Sequence, residues 1–272
     1  MKRYLAVTGL SLIVCALAAA QEGGGQRVVV PARNSTRPRQ LKVSSLHTTI
    51  NVKTHAGKDV IVESAGTPSR KTRERERDAA PAGMHRIDIP TGGFTVEEED
   101  NVISVNAGTA SDGSITITVP VDTSVRVRST QGGVNIDGVH GEVDASCTNG
   151  ALKLTNISGT VVAETTNGEV TVTMDRVDPS KPLSFSSTNG TIDVTLPADL
   201  KANLKMRSYN GSIYSDFDMK MTGASQPVTT SPGGDQGKFK VKFDRTVNAT
   251  INGGGVDASF STFNGRIMIK KK

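Results

Sequence analysis

The sequence contains no tryptophan, and its 7 phenylalanines and 3 tyrosines leave few rings on which a sugar could stack. Its 2 cysteines, Cys15 and Cys147, exclude a disulfide framework, because Cys15 falls within an apolar leader and Cys147 is then alone. The 4 histidines, His47, His55, His85 and His140, sit in no recognisable motif, so Cys147 has no base beside it in sequence and no catalytic residue is expected. Nor does any cofactor or metal site suggest itself. Excess charge is also small. The formal net of +5 becomes +3 without Lys2 and Arg3, and the remaining Lys and Arg are dispersed. Nucleic acid, which demands a basic stripe, is excluded as a partner.

Residues 1–20 carry the marks of an export signal: Lys2-Arg3, an apolar run from Tyr4 to Leu17, then Ala18-Ala19-Ala20. The run is too short and too close to the start to be read first as a membrane span. Cys15 raises a lipoprotein signal as the alternative, but Val14 precedes it where a small residue is expected. The mature chain is therefore expected in the periplasm or on the cell surface of a bacterium, with no membrane span after cleavage. Residues 21–26 read as a flexible N-terminus and 27–272 as a single domain.

What the sequence has in abundance is repetition. Gln131-Gly132, Asn149-Gly150 and Asn167-Gly168 recur 18 residues apart, followed at 22 and 21 residues by Asn189-Gly190 and Asn210-Gly211, and later by Asn264-Gly265. Counted from each Asn, positions +3 and +5 are apolar in Leu152/Leu154, Val170/Val172, Ile192/Val194 and Ile267/Ile269, with Ile213/Ser215 the exception. Positions −6 and −4 are Val143/Ala145, Val161/Ala163, Leu183/Phe185, Leu204/Met206 and Ala258/Phe260. Position −2 is always small: Cys147, Thr165, Ser187, Ser208, Thr262. Each repeat thus carries two strands with one buried face.

The repeat predicts an all-β, single-stranded β-solenoid of 18–22-residue coils, with the Asn-Gly pairs as structural turns whose backbone takes positive φ. An antiparallel meander or sandwich suits the same alternation, because in a two-residue hairpin −2 faces +3. Recurrence of side-chain type at every position favours the solenoid. No coil can stand alone, so neighbours must close the core.

Leu41, Val43, Ser45, His47, Ile50 and Val52 fit the same register, so the solenoid is expected to begin there, with His47 as a turn residue. Residues 66–82 break it with the run from Arg70 to Asp78, read as a solvated insertion with a helix start over 67–80; an acidic polymer is its alternative partner. Glu97-Glu98-Glu99-Asp100 is a second charge run, suited to a strand edge or loop. A loop rich in Gly, Pro, Ser and Thr is expected near 219–236, and Phe239 to Phe243 resumes an alternating strand. Lys270-Lys271-Lys272 is placed to discourage pairing at an open last coil.

The combination of Ile115 to Pro120, Ser129 to Val134, Gly138 to Val143, Thr166 to Val170, Gly253-Gly254-Gly255 and Thr262 to Gly265 resembles the bacterial exported "putative adhesin" domain family, related to head-GIN adhesin domains. The resemblance covers roughly residues 27–270. It implies a β-solenoid at the cell envelope, a family without shared catalytic residues, and adhesion as a label. Function then reads as a non-enzymatic envelope scaffold whose small polar faces, including Ser184, Ser186, Thr188, Thr191 and Ser259, bind an envelope glycan or another envelope protein. The alternatives are a polysaccharide-acting β-helix enzyme using outward carboxylates among Asp144, Glu164, Glu169 and Asp193, and a scaffold that self-assembles through its coil ends.

Overall fold

The computed structural model describes residues 26–32, 37–65, 94–107, 113–222, 227–229, 241–243 and 246–272. The proposed signal at 1–20, the charged insertion at 66–82 and most of the loop near 219–236 lie outside them. Among the described residues every regular element is a strand, and no helix is long and apolar enough to cross a membrane.

In chain order the strands are β1 (Gln26–Val30), β2 (Gln40–Ser45), β3 (Thr49–His55), β4 (Val60–Ala65), β5 (Phe94–Glu99), β6 (Val102–Ala107) and β7 (Ser114–Pro120). They continue with β8 (Ser124–Gln131), β9 (Val134–Asp137), β10 (Glu142–Asn149), β11 (Leu152–Asn167), β12 (Val170–Val177), β13 (Leu183–Asn189), β14 (Ile192–Leu196) and β15 (Ala202–Asn210). The last are β16 (Ile213–Ser215), β17 (Lys220–Met221), β18 (Pro227–Thr229), β19 (Val241–Phe243), β20 (Thr246–Ile251), β21 (Val256–Asn264) and β22 (Ile267–Lys271).

Two faces result. Along the first, the order is β5, β6, β2, β8, β10, the second half of β11, β13, β21, β15, β20, β17. Along the second it is β1, β4, β7, β3, β9, the first half of β11, β12, β14, β22, β16. From β6 to β15 and from β7 to β16 every pairing is parallel, so each strand pairs with its equivalent in the next coil and not with its own partner across the Asn-Gly corner. The antiparallel meander is thereby set aside. The 16-residue β11 runs through both faces and links them.

Period-2 alternation turns one side of every strand inward. Leu152, Leu154, Val170, Ile192 and Val194 are fully buried, and Phe185 stacks on Phe260 with ring centroids 5.0 Å apart. Equivalent residues lie in register, as Val143 beside Val161 and Ala145 beside Ala163, and Ala163 is followed in turn by Phe185 and Phe260. Continuous burial of aliphatic and aromatic side chains between the faces is the main favourable term for such a stack.

Two expectations need correction. The coils do not stack in chain order: β2 and β3 lie between the β6/β7 coil and the β8/β9 coil, and β21 and β22 lie between the Asn189 and Asn210 coils. The repeat alone could not show this, because coils of equal register are interchangeable and only the connections decide their order. Secondly, β22 is not an open last coil. It pairs with β14 on one side and β16 on the other, and Lys270 Nζ reaches Asp193 Oδ2 at 2.7 Å. The strand expected over 239–243 is present as β19, which pairs with β18 in a separate two-stranded sheet.

Among the described residues the outermost strands are instead β5, β17, β1 and β16. β5 carries Glu97, Glu98 and Glu99, so the second acidic run falls on a strand edge, while β16 has 3 residues and β17 has 2. Charged or very short edges resist pairing with another chain.

The register has a direct test. Val170 is fully buried, whereas half-buried Thr171 points outward between Lys153 and Asp193. Val170→Asp is expected to cost at least about 3 kcal/mol through burial of an unpaired charge. Thr171→Asp stays within about 1 kcal/mol of wild type, its carboxylate attracted by Lys153 and repelled by Asp193. Urea denaturation followed by circular dichroism measures both; equal losses, or the reverse order, would show the phase of β12 to be wrong.

Candidate binding surfaces

The Asn-Gly corners form one edge of the molecule. Asn167 Nδ2 donates to Asn149 Oδ1 at 2.8 Å, Asn189 to Asn167 at 2.8 Å, Asn264 to Asn189 at 2.7 Å and Asn210 to Asn264 at 2.9 Å. Five exposed amides therefore make a continuous ladder. Toward the other end His47 Nδ1 lies 2.7 Å from Gln131 Oε1, which puts His47 at the corner where the repeat predicts it. Asn167, Asn189 and Asn264 each use one N–H and one oxygen lone pair within the ladder and keep another of each for solvent or a ligand, while Asn149 enters it only as acceptor and Asn210 only as donor.

The expected positive φ is absent from these corners. Positive φ occurs at Gly132, Gly138, Gly159, Gly253 and Gly254 and at Asp100, Asn101, Asn156 and Asn252. Glycine is needed at the corners because the backbones approach too closely for a side chain: a Cβ on Gly168 would lie 2.0 Å from the carbonyl oxygen of Gly150. That closeness lets Gly150 N–H donate to Asn167 O at 3.0 Å and Gly168 N–H to Asn189 O at 3.0 Å, so coil-to-coil bonding continues around the corner.

The small −2 residues complete the arrangement. Thr165 Oγ1 donates to Gly150 O at 3.1 Å, Ser187 Oγ to Gly168 O at 3.0 Å, Thr262 Oγ1 to Gly190 O at 3.2 Å and Ser208 Oγ to Gly265 O at 3.2 Å. Cys147 Sγ takes the same place, 3.3 Å from Gly132 O. Burial pushes its thiol up from the ordinary value, against smaller opposing contributions from Ser129 and Asn149, so the nucleophilic thiolate is disfavoured.

The outward carboxylates do not assemble a catalytic pair. Asp144 is held by Arg126 Nε at 2.9 Å and Arg128 Nη2 at 3.2 Å, while Asp193 is on the opposite face with Lys270. Glu164 shares a face with Asp144, but Glu169 lies beside the Asn167 corner. Among the described residues no group of three His, Cys, Asp or Glu side chains is placed to hold a metal. Arg126 and Arg128 also border a shallow depression of about 360 Å³ with Lys42, Ser44, Glu97 and Ser104.

Aromatic rings, though few, gather at the far end of the ladder. Tyr209 and Phe263 lie 5.1 Å apart and exposed beside Asn210 and Asn264, the Arg207 guanidinium stands 4.6 Å over Tyr209, and exposed Tyr214 follows on β16. Tyr209 and Phe263 both occupy position −1, where the other repeats carry Thr148, Thr166 and Thr188, so the aromatic pair is a signal carried by the outward positions of the repeat. The opposite corner is also new: Asp137 Oδ1 accepts from Thr155 Oγ1 at 2.7 Å and Asn156 Nδ2 at 2.8 Å, beside the positive-φ residues Gly138 and Asn156. They stand 18 residues apart, as Asn149 and Asn167 do.

The chain matches the family described as Toastrack DUF4097 over residues 92–246, more than half of its length. No curated protein matches it. Two crystal structures are similar. That of a "putative cell adhesion protein" from Clostridium sporogenes ATCC 15579 has a TM-score of 0.43 and 9% identity, covering 91% of this chain and 100% of that one. That of a "putative adhesin" from Bacteroides fragilis NCTC 9343 has a TM-score of 0.41 and 11% identity, covering 91% and 97%.

The corner geometry sets two expected outcomes. Gly168→Ala should destabilise by about 1–3 kcal/mol or more in chemical denaturation, because the obstructing atom is backbone and the coils must part; a neutral result would remove close stacking as the reason for glycine. Cys147→Ser should keep the fold within about 1 kcal/mol, its hydroxyl making the bond that Ser187 makes. In the native wild type Cys147 should react with a soluble thiol reagent at least ~10-fold more slowly than in the unfolded chain, and rapid native labelling would contradict the inward placement.

Proposed function

The chain belongs to the Toastrack DUF4097 family, and from that premise we propose that it is a non-enzymatic, exported scaffold of the bacterial cell envelope that binds glycan along its Asn edge. In this reading it is a β-solenoid with coils of 18 to 22 residues. The observation that carries the proposal is the amide ladder from Asn149 to Asn210, ending in exposed Tyr209 and Phe263. A linear glycan is a periodic array of hydroxyls. A row of amides repeated at the strand spacing of about 4.8 Å offers donors and acceptors in the same linear form. Exposed rings beside it supply the apolar surface that the C–H faces of sugars require.

Two features speak against the competing readings. Asp144 and Asp193 are engaged by cations, which removes two of the four carboxylates a glycan-cleaving centre would draw on. Three of the four outer strands, β5, β16 and β17, are charged or abbreviated, which opposes end-to-end assembly at those edges.

Pull-down and calorimetric titration of the mature chain against peptidoglycan and a panel of envelope glycans test the reading. Binding is expected, and Tyr209→Ala combined with Phe263→Ala should weaken it at least ~10-fold while circular dichroism is unchanged; stacking is worth about 0.5–1.5 kcal/mol per aromatic pair before burial is added. Absence of binding across the panel, or full retention in the double variant, would end the proposal.

A further inference from the structure

A second place on the molecule has the attributes of a ligand site, and it lies at the opposite corner, near the other end of the stack. The segments Arg37–Arg39, His55–Lys58 and Pro120–Thr123 line an open cavity of about 480 Å³. Arg39 is 6% exposed, and its guanidinium donates from Nη1 to Lys58 O at 2.7 Å and from Nη2 to Pro31 O at 3.0 Å. Both acceptors are backbone carbonyls. Among the described residues no carboxylate forms an ion pair with Arg39. Three of its five N–H donors remain after those two bonds.

Thr123 adds an independent observation on the same wall. It is 1% exposed, and its Oγ1 has no hydrogen-bond partner. A buried hydroxyl without a partner costs free energy unless something supplies one. Arg37 and Lys58 line the cavity with exposed side chains, and Asp122 is the one acid among the lining residues. His55 is a wall and not a reagent: Gly57 N–H donates to its Nδ1 at 3.2 Å, which leaves Nε2 to donate to Asp59 O at 2.8 Å. Both ring nitrogens are thereby occupied.

We propose that this cavity binds an oxyanion group, in which Arg39, Arg37 and Lys58 supply the positive charge and the Thr123 hydroxyl a donor. A flat or tetrahedral oxyanion accepts several N–H and O–H bonds at once, and guanidinium matches it better than any other side chain. Filling the cavity gives Arg39 a counter-ion and Thr123 a partner in one event. The site is independent of the Asn edge, so the glycan reading can fail without it.

Isothermal titration calorimetry with sodium phosphate, sodium sulfate and sodium glucuronate, each at ionic strength fixed with sodium chloride, tests the site. Saturable binding of at least one is expected. Tighter binding of glucuronate assigns the source to a carboxylate on a sugar, and tighter phosphate or sulfate to the inorganic oxyanion. Lys58→Gln and Arg37→Gln, both at exposed positions, should each weaken binding about 3–10-fold. Thr123→Val, nearly isosteric, should weaken it several-fold while leaving the ligand-free melting temperature unchanged or higher, since it removes an unsatisfied hydroxyl. No saturable heat with any of the three anions, or undiminished affinity in all three variants, would overturn the proposal.

Discussion

The structure depends on how closely one coil can lie against the next at the Asn-Gly corner. Backbone N–H and C=O groups there must be bonded like those elsewhere in the sheets. The corner glycines donate to the Asn carbonyl of one neighbouring coil, and the carbonyl of Gly150 accepts from Thr165 in the coil beside it. A methyl group on the glycine would push the coils apart, and the sheet on each side would lose its parallel spacing. Small side chains at −2, glycine at +1 and Asn at the corner are therefore one requirement expressed at three positions.

Much of this was legible. Inward residues such as Leu152, Val170 and Phe185 follow from alternation, because period 2 leaves one face for the core. The in-register stacking follows from recurrence of residue type: Thr165, Ser187 and Thr262 repeat because each meets the same carbonyl. The reason for glycine was misread, since Gly in a dipeptide with Asn suggests positive φ, and only the distance across coils shows that crowding is the cause. Coil order was not legible at all. Nothing in β21 distinguishes it from β15 as a neighbour for β13, so the choice rests on connections outside the repeat.

The candidate binding surfaces were harder to see for a different reason. Tyr209 and Phe263 are 54 residues apart between their Asn neighbours, and only the displaced coil order makes them adjacent. The cavity beside Arg39 draws on three separate corner segments, none of which carries a motif. Surfaces of repeat folds are assembled across coils, so a site is spread thinly along the sequence while the core is written locally.

The position of β21 and β22 has a consequence for how the chain reaches this state. They follow β15 and β16 in sequence but separate those strands from β13 and β14 in space. Stacking that proceeded strictly in chain order would bring the Asn210 coil against the Asn189 coil, whose exposed edge offers an almost identical register. That arrangement is a ready competitor, and reaching the native one requires residues 256–271 to arrive before the gap closes. The C-terminal coil thus acts as a wedge, and the attachment of everything from Ala202 to Ser215 is conditional on its insertion.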